Sequence, residues 1–300
     1  MSEPIGTAQL SGRAQQESPL NDSNQRNQER LLIADGRSCI LTYHELLATD
    51  SKYLYRVTSS AFENHLSFVS SVGKNASAGT APKITFDDGH YSNYENAFPM
   101  LERFGLKATF FVLAGRIGSN RNYLSWEQAR KMALAGHRIA SHGWSHRIFT
   151  QCSSSELDQE IAQSKRVIED RLGVEVDSIS APGGRWDERV ADACIDAGYK
   201  YLFHSNPWGG ASFRKDIRLQ GRHTVTRRMD SQQLCKIMQT SGMKRQYLHA
   251  RYAAKERVRL MLGDRLYHKL WCWVANWSPG EGMELEVDGR ENPSDESKAL

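Results

Sequence analysis

The sequence lacks the marks of a cross-linked or membrane-spanning protein. Its five cysteines, Cys39, Cys152, Cys194, Cys235 and Cys272, lie far apart, and no two form a CxxC pair. A disulfide framework and a zinc knuckle are therefore not expected, and reduced thiols are. No run approaches the roughly 18 consecutive apolar residues of a spanning helix. Residues 1–30, rich in Gln, Asn, Ser and Glu, contain no apolar stretch of the secretory-leader kind, so the expected location is cytoplasmic. A strong charge of one sign is missing too. With 39 Lys and Arg against 35 Asp and Glu, the formal net charge is +4, and a nucleic-acid partner is not expected.

What is there suits an ordinary soluble globular chain. The 300 residues suffice for one large domain or two small ones, and 39% hydrophobic with 25% charged residues is an ordinary balance. Residues 1–30 and 278–300 read as disordered tails. Between them, residues 37–243 read as one folded domain, followed by a basic amphipathic helical extension over 244–277. Within the domain, short apolar runs alternate with helical patterns. "CILTY", "PKITF", "KATFFVLAG", "RIAS", "VDSISAPG" and "YKYLFHS" are the expected strands. Phe62, Leu66 and Val69 mark one helix face. Ser125 with Gln128, and Ser153 with Glu156, are capping boxes for two further helices, the second ending at Gly173. Repeated strand–helix units imply a parallel sheet covered by helices, either an open sheet or a closed or partly closed α/β barrel.

Chemistry in such folds sits at the C-terminal ends of the strands. The unusual residues fall there: His44; Asp87, Asp88 and His90; His142 and His146; Pro182, Gly183, Arg185 and Asp187; His204 and Trp208. Each alone has an ordinary structural explanation. A strand-end Asp is often a helix cap, a lone His is more often a core or surface residue than a ligand, and a Trp often only packs. Their recurrence at equivalent strand ends favours a site.

Two stretches carry most of the signal. In "HGWSH", the four-residue spacing of His142 and His146 can bring both imidazoles to one side of a helical turn. In "FDDG", Asp87 and Asp88 are adjacent carboxylates that would repel one another without a cation. Two His and one Asp form a donor set for a divalent ion with open positions, most readily Zn²⁺, with Co²⁺, Mn²⁺ and Ni²⁺ compatible by ligand type. One carboxylate can ligate while the other accepts a proton from activated water.

"TFDDG" followed some fifty residues later by "SHGWSH" resembles the first two motifs of the NodB-homology polysaccharide deacetylases, carbohydrate esterase family four. The resemblance covers residues 39 to about 240. It implies a deformed (β/α) barrel and a hydrolase that removes N-acetyl groups from an N-acetylated sugar or polysaccharide. By the same resemblance Asp87 would be the catalytic base, and Asp88, His142 and His146 the metal ligands. The family's third motif has an Arg that pairs with the base. Ser180 stands in its place, and Arg185 is the expected substitute. The fifth-motif His has no clear copy. His204 is assigned as the catalytic acid, with His44 and His223 as further candidates. His44, Pro182, Gly183 and Trp208 are the expected substrate contacts.

The extension is the last feature. Val258, Leu262, Leu266, Leu270, Val274 and Trp277 share a helical stripe, and eight Lys or Arg stand against two acidic residues between 244 and 269. The expectation is a helix docked on the barrel with its charges solvated. The alternative is a peripheral contact with the inner membrane face, with Trp271, Trp273 and Trp277 at the headgroups. The function alternatives are a related hydrolase of non-peptide C–N bonds in small amides, and a non-catalytic carbohydrate-binding protein.

Overall fold

Each short apolar run becomes a strand and each amphipathic stretch a helix laid over it. The computed structural model describes residues 39–263 apart from 50–52, 76–80 and 210, together with Leu266. The expected tails lie outside the described residues, as do Leu270, Trp271, Trp273, Val274 and Trp277.

In chain order come β1 (Ile40–Tyr43), β2 (Glu45–Leu47), β3 (Arg56–Thr58) and α1 (Ser59–Asn75). Then follow β4 (Lys83–Phe86), α2 (Phe98–Arg103), β5 (Ala108–Val112), α3 (Trp126–Leu134) and β6 (Arg138–Ser141). Next are α4 (Ser154–Leu157), α5 (Ser164–Leu172), β7 (Ser178–Ser180), α6 (Glu188–Asp196) and β8 (Tyr201–His204). The described chain ends with β9 (Ala211–Arg214), β10 (Ile217–Gly221), β11 (His223–Thr224), α7 (Ser231–Met238) and α8 (Gly242–Leu262).

The capping boxes at Ser125 and Ser153 form as their sequences dictate, and Gly173 ends α5 in the left-handed region. A plain 3.6 period misses one feature. Between α4 and α5 the chain widens into a π-type turn, Asp158–Gln163, which buries both Glu160 and Ile161.

Strands β1, β4, β5, β6, β7 and β8 pair side by side in parallel. β10 extends the series by pairing parallel with β8, while β11 pairs parallel with β1. Only Arg222 separates β10 from β11. A single run of chain therefore joins the last strand of the series to the first, with Arg222 at the seam. The Arg222 N–H donates to the His204 carbonyl at 3.0 Å, and the Val225 N–H to that of Thr42 at 2.8 Å. β9 takes the second edge of β10 in antiparallel fashion, so closure on β1 is short and the barrel is deformed.

Period-two alternation sorts the side chains. Leu41, Phe110, Ile139 and Leu202 face the helices in the main core. Ile40, Phe111, Ala140 and Phe203, each one residue away, form a separate cluster inside the barrel. Each fully buried Phe contributes about 1.5–3 kcal/mol. The same alternation turns Thr42, Thr85, Ser180 and, past the strand ends, Asp87 and His142 toward the barrel interior.

Candidate metal centre and catalytic pocket

The DDG turn begins where β4 leaves the sheet. The Asp87 N–H still donates to the Tyr43 carbonyl at 2.9 Å. Asp88 then takes φ 72°, a left-handed conformation that Asp tolerates better than most residues. Its carboxylate is buried, and Oδ1 lies 3.3 Å from Nε2 of both His142 and His146. That oxygen has no hydrogen-bond partner. His142 Nδ1 lies 2.9 Å from the Ser180 carbonyl, which can only accept, so Nδ1 carries the proton and Nε2 presents its lone pair. Burial pushes the His146 imidazole down to about 4 and keeps it neutral, the form a ligand needs. One orphaned carboxylate oxygen and two imidazole nitrogens, all within 4.8 Å of one another, fit a divalent cation.

His142 and His146 converge without a helical turn, contrary to the expectation. Gly143 has φ 88° and His146 φ 77°, and neither value is helical. Glu160 shapes the loop instead. Its buried carboxylate accepts the backbone N–H groups of Trp144 at 2.8 Å and Ser145 at 3.0 Å, and the Ser145 hydroxyl. Glu160 is not among the residues expected at the site. Its signal was an acidic residue one position from Ile161 on an otherwise apolar helix face.

Asp87 stays off the ligand set and is held by Arg222. Nη1 donates to Oδ1 at 2.8 Å and Nη2 to Oδ2 at 2.7 Å. The guanidinium also donates to Thr85 Oγ1 at 3.2 Å and Ser180 Oγ at 2.5 Å, and lies 5.0 Å from the Phe111 ring centroid and 5.5 Å from that of Phe203. Burial alone would raise the Asp87 pKa, but the charge and hydrogen bonds of Arg222, with His142 and His44 adding, together hold the carboxyl below its ordinary value. This corrects the assignment of Arg185 as the partner of Asp87. Ser180 is small, and the space it leaves is filled by a guanidinium arriving from the barrel seam. Arg185 stands on the pocket wall, beyond the turn of Pro182–Gly184.

A cavity of about 470 Å³ opens over these groups. His44, Gly183, His204 and Trp208 line it together with Asp87, Asp88, His142 and His146. Pro182 does not; it is buried behind the wall and shapes the turn. His204 is a poor proton donor here. Its Nδ1 accepts the Asn206 N–H at 3.1 Å, and burial, with the Arg222 charge adding, pushes the imidazole down to about 4. His44 stacks on Tyr55 with centroids 5.0 Å apart, and its buried Nδ1 has no partner. It is close enough to both carboxylates to help lower the pKa of each. His90 bonds to Ser92 at 2.7 Å and is not on the cavity wall.

Helix α8 closes one side of the cavity through Tyr252, Lys255, Glu256 and Arg259. Tyr252 Oη and Ser205 Oγ are 2.6 Å apart, and Arg245 Nε donates to the Trp208 carbonyl at 3.1 Å.

A family model described as polysaccharide deacetylase matches residues 76–202. The protein named "Putative polysaccharide deacetylase YxkH" of Bacillus subtilis (strain 168) is 31% identical over 201 residues, 62% of this chain and 70% of that protein. Peptidoglycan-N-acetylglucosamine deacetylase PgdA of Listeria monocytogenes serotype 1/2a (strain 10403S) is 30% identical over 110 residues, 36% of this chain but only 22% of PgdA. Among solved structures, the Streptococcus pyogenes deacetylase PplD in complex with acetate superposes with a TM-score of 0.61 at 22% identity, over 68% of this chain and 98% of that one. At that identity the match speaks for the fold.

Proposed function

We propose that this chain, which belongs to the polysaccharide deacetylase family, is a divalent-metal-dependent hydrolase that removes the acetyl group from an N-acetylated sugar. The observation that carries the reading is the division of labour in the DDG turn. Asp88 converges with His142 and His146 on one point, while Asp87 stands beside it, held ionised by Arg222.

A divalent cation held by Asp88, His142 and His146 would polarise the acetamide carbonyl and bring the pKa of a water toward neutrality. Zn²⁺ is the ion we propose, with Co²⁺, Mn²⁺ and Ni²⁺ compatible with the donors. Asp87 accepts the proton of the attacking water. Arg222 keeps that carboxylate charged and fixes its orientation. His44, with its partnerless Nδ1, delivers a proton to the departing amine, in place of His204. Trp208, packed edge-on to His223 with centroids 4.6 Å apart, forms an aromatic wall for a sugar ring. Two further elements belong to the proposal. A cytoplasmic setting is supported by the four described cysteines, all unpaired. A peripheral membrane contact through the helical extension is supported by its excess of Lys and Arg.

Acetate release from N-acetylglucosamine oligomers, measured alongside bound metal, tests the reading. Asp87→Asn should retain the metal and lose turnover by several orders of magnitude. Full activity in that variant removes the assigned base. Wild-type protein that binds metal yet releases acetate from no glycan would point instead to a small-amide hydrolase.

A further inference from the structure

Helix α8 is docked inside out. An amphipathic helix ordinarily turns its apolar face to the core. Here Arg245, Tyr252, Glu256 and Arg259 face the barrel; Arg259 is buried and pairs with Glu256 at 2.5 Å. Met243, Tyr247, Ala250, Ala254, Val258 and Met261 follow one another at steps of three or four residues, and all six are exposed. Met243 is 86% accessible, Tyr247 66%, Val258 47% and Met261 85%. At about 100° per residue these six fall on one stripe opposite the docked face. Arg257 lies along one edge of the stripe, and Lys244 and Arg251 along the other, all three exposed.

We infer that this outward face of α8 docks on a bilayer surface rich in anionic lipid. An apolar stripe between basic edges is the pattern of a helix lying in the headgroup region, apolar side down and cations among the phosphates. Charge complementarity selects this occupant. α8 carries six Lys or Arg against one Glu, and that Glu lies on the docked face. A second copy of the same face would bring like charges together along both edges. The inference rests on the peripheral contact proposed above and gives it a face and a partner. Because the opposite side of α8 lines the catalytic cavity, docking in this way holds the cavity about one helix diameter, on the order of 10 Å, from the lipid surface.

The test is flotation of the full chain with vesicles of phosphatidylcholine alone or mixed with phosphatidylglycerol. Met243→Asp/Met261→Asp and Arg251→Glu/Arg257→Glu are compared with wild type, and acetate release from a soluble N-acetylglucosamine oligomer is followed in parallel. Wild type should float with the anionic vesicles only. Binding should fall as salt shortens the screening length from ~10 Å at 0.1 M to ~3 Å at 1 M. Both double variants should lose flotation at least tenfold while keeping activity and melting temperature. No flotation of wild type, or equal flotation of the variants, overturns the inference. A wild-type dimer that the Met variant dissociates overturns it in favour of a second copy. A fall of several degrees in the melting temperature of the Met variant overturns it in favour of a segment of the chain itself covering the stripe. Loss of acetate release in wild type touches the deacetylase reading and leaves the flotation result standing.

Discussion

Arg222 holds Asp87 by both carboxylate oxygens, at 2.8 and 2.7 Å, from the one residue that separates the two halves of the closing strand. The pair is buried, so removing the cation strands a charge, at a cost of about 3–5 kcal/mol. Arg222→Gln should therefore lower both stability and turnover, the latter by at least ~100-fold. Arg222→Lys should recover part of the stability and little of the rate, because an ammonium lacks the two-pronged geometry. The double variant Ser180→Arg/Arg222→Ser returns the guanidinium to strand β7 and should regain activity that Arg222→Ser alone loses. Denaturant midpoints and kcat measured at full metal loading check this. A double variant no better than the single one would show that the two positions are not interchangeable.

Glu160 touches none of the assigned metal ligands, yet three donors of the loop between His142 and His146 end on it. Glu160→Ala orphans two backbone N–H groups and a hydroxyl, so the loop should lose its shape. Metal affinity should fall roughly 10–100-fold, the range for groups that support a ligand. Glu160→Gln keeps one acceptor oxygen and should fall between. Competition with a chelator of known affinity measures the change.

The two imidazoles that could donate a proton are distinguishable. His44→Ala should lower kcat by on the order of 10²–10⁴-fold with little change in KM. It should lose much less on an aryl acetate ester, whose phenolate leaves without prior protonation. His204→Ala removes the acceptor for the Asn206 N–H and should raise KM more than it lowers kcat. The reverse pattern would return the acid role to His204.

The parts of this molecule visible in the sequence were those set by local spacing. Strand runs, capping boxes and the Asp88, His142 and His146 set can be read within short windows. Arg222 could not be read in this way, because it lies 135 residues from Asp87 and meets it only where the barrel closes. Its neighbour His223 carries the more conspicuous side chain in that stretch, and nothing local distinguishes the arginine. The convergence of His142 and His146 was legible, but its cause was not, since the helical spacing suggested a turn that two left-handed residues prevent. In the extension, the pattern showed an amphipathic helix. Its direction of docking depended on polar partners, Ser205 and Trp208, that come from another part of the chain.

Two glycines make opposite predictions. A Cβ on Gly221 would sit 1.8 Å from the Asn206 carbonyl oxygen, a backbone atom that cannot move without shifting the loop that carries Trp208. Gly221→Ala should destabilise the fold and impair the pocket. Gly73 lies within α1, where a Cβ would meet nothing within 4 Å. Gly73→Ala should stabilise the protein by roughly 0.5–1 kcal/mol through helix propensity and loss of unfolded-state freedom. Thermal melts of the two variants should move in opposite directions.

Acid should weaken the fold at a point remote from the pocket. His137 is fully enclosed; its Nδ1 accepts the Ala108 N–H at 3.2 Å, so its Nε2–H faces Glu102 Oε1 at 2.9 Å. Protonation would set a second N–H against that of Ala108. Burial therefore pushes the imidazole from 6.5 down to about 4, although the bond to Glu102 pulls the other way. Between these two values the unfolded chain takes up a proton that the folded one refuses. The contribution is complete above pH ~6.5 and is lost as the pH falls toward 4, on the order of 3 kcal/mol in all. Other buried histidines add to the total slope, so the informative quantity is a difference. Between pH 7.5 and 5, wild type should lose more in its urea midpoint than His137→Gln, even though the variant starts less stable. Equal losses in the two proteins would place the acid sensitivity elsewhere.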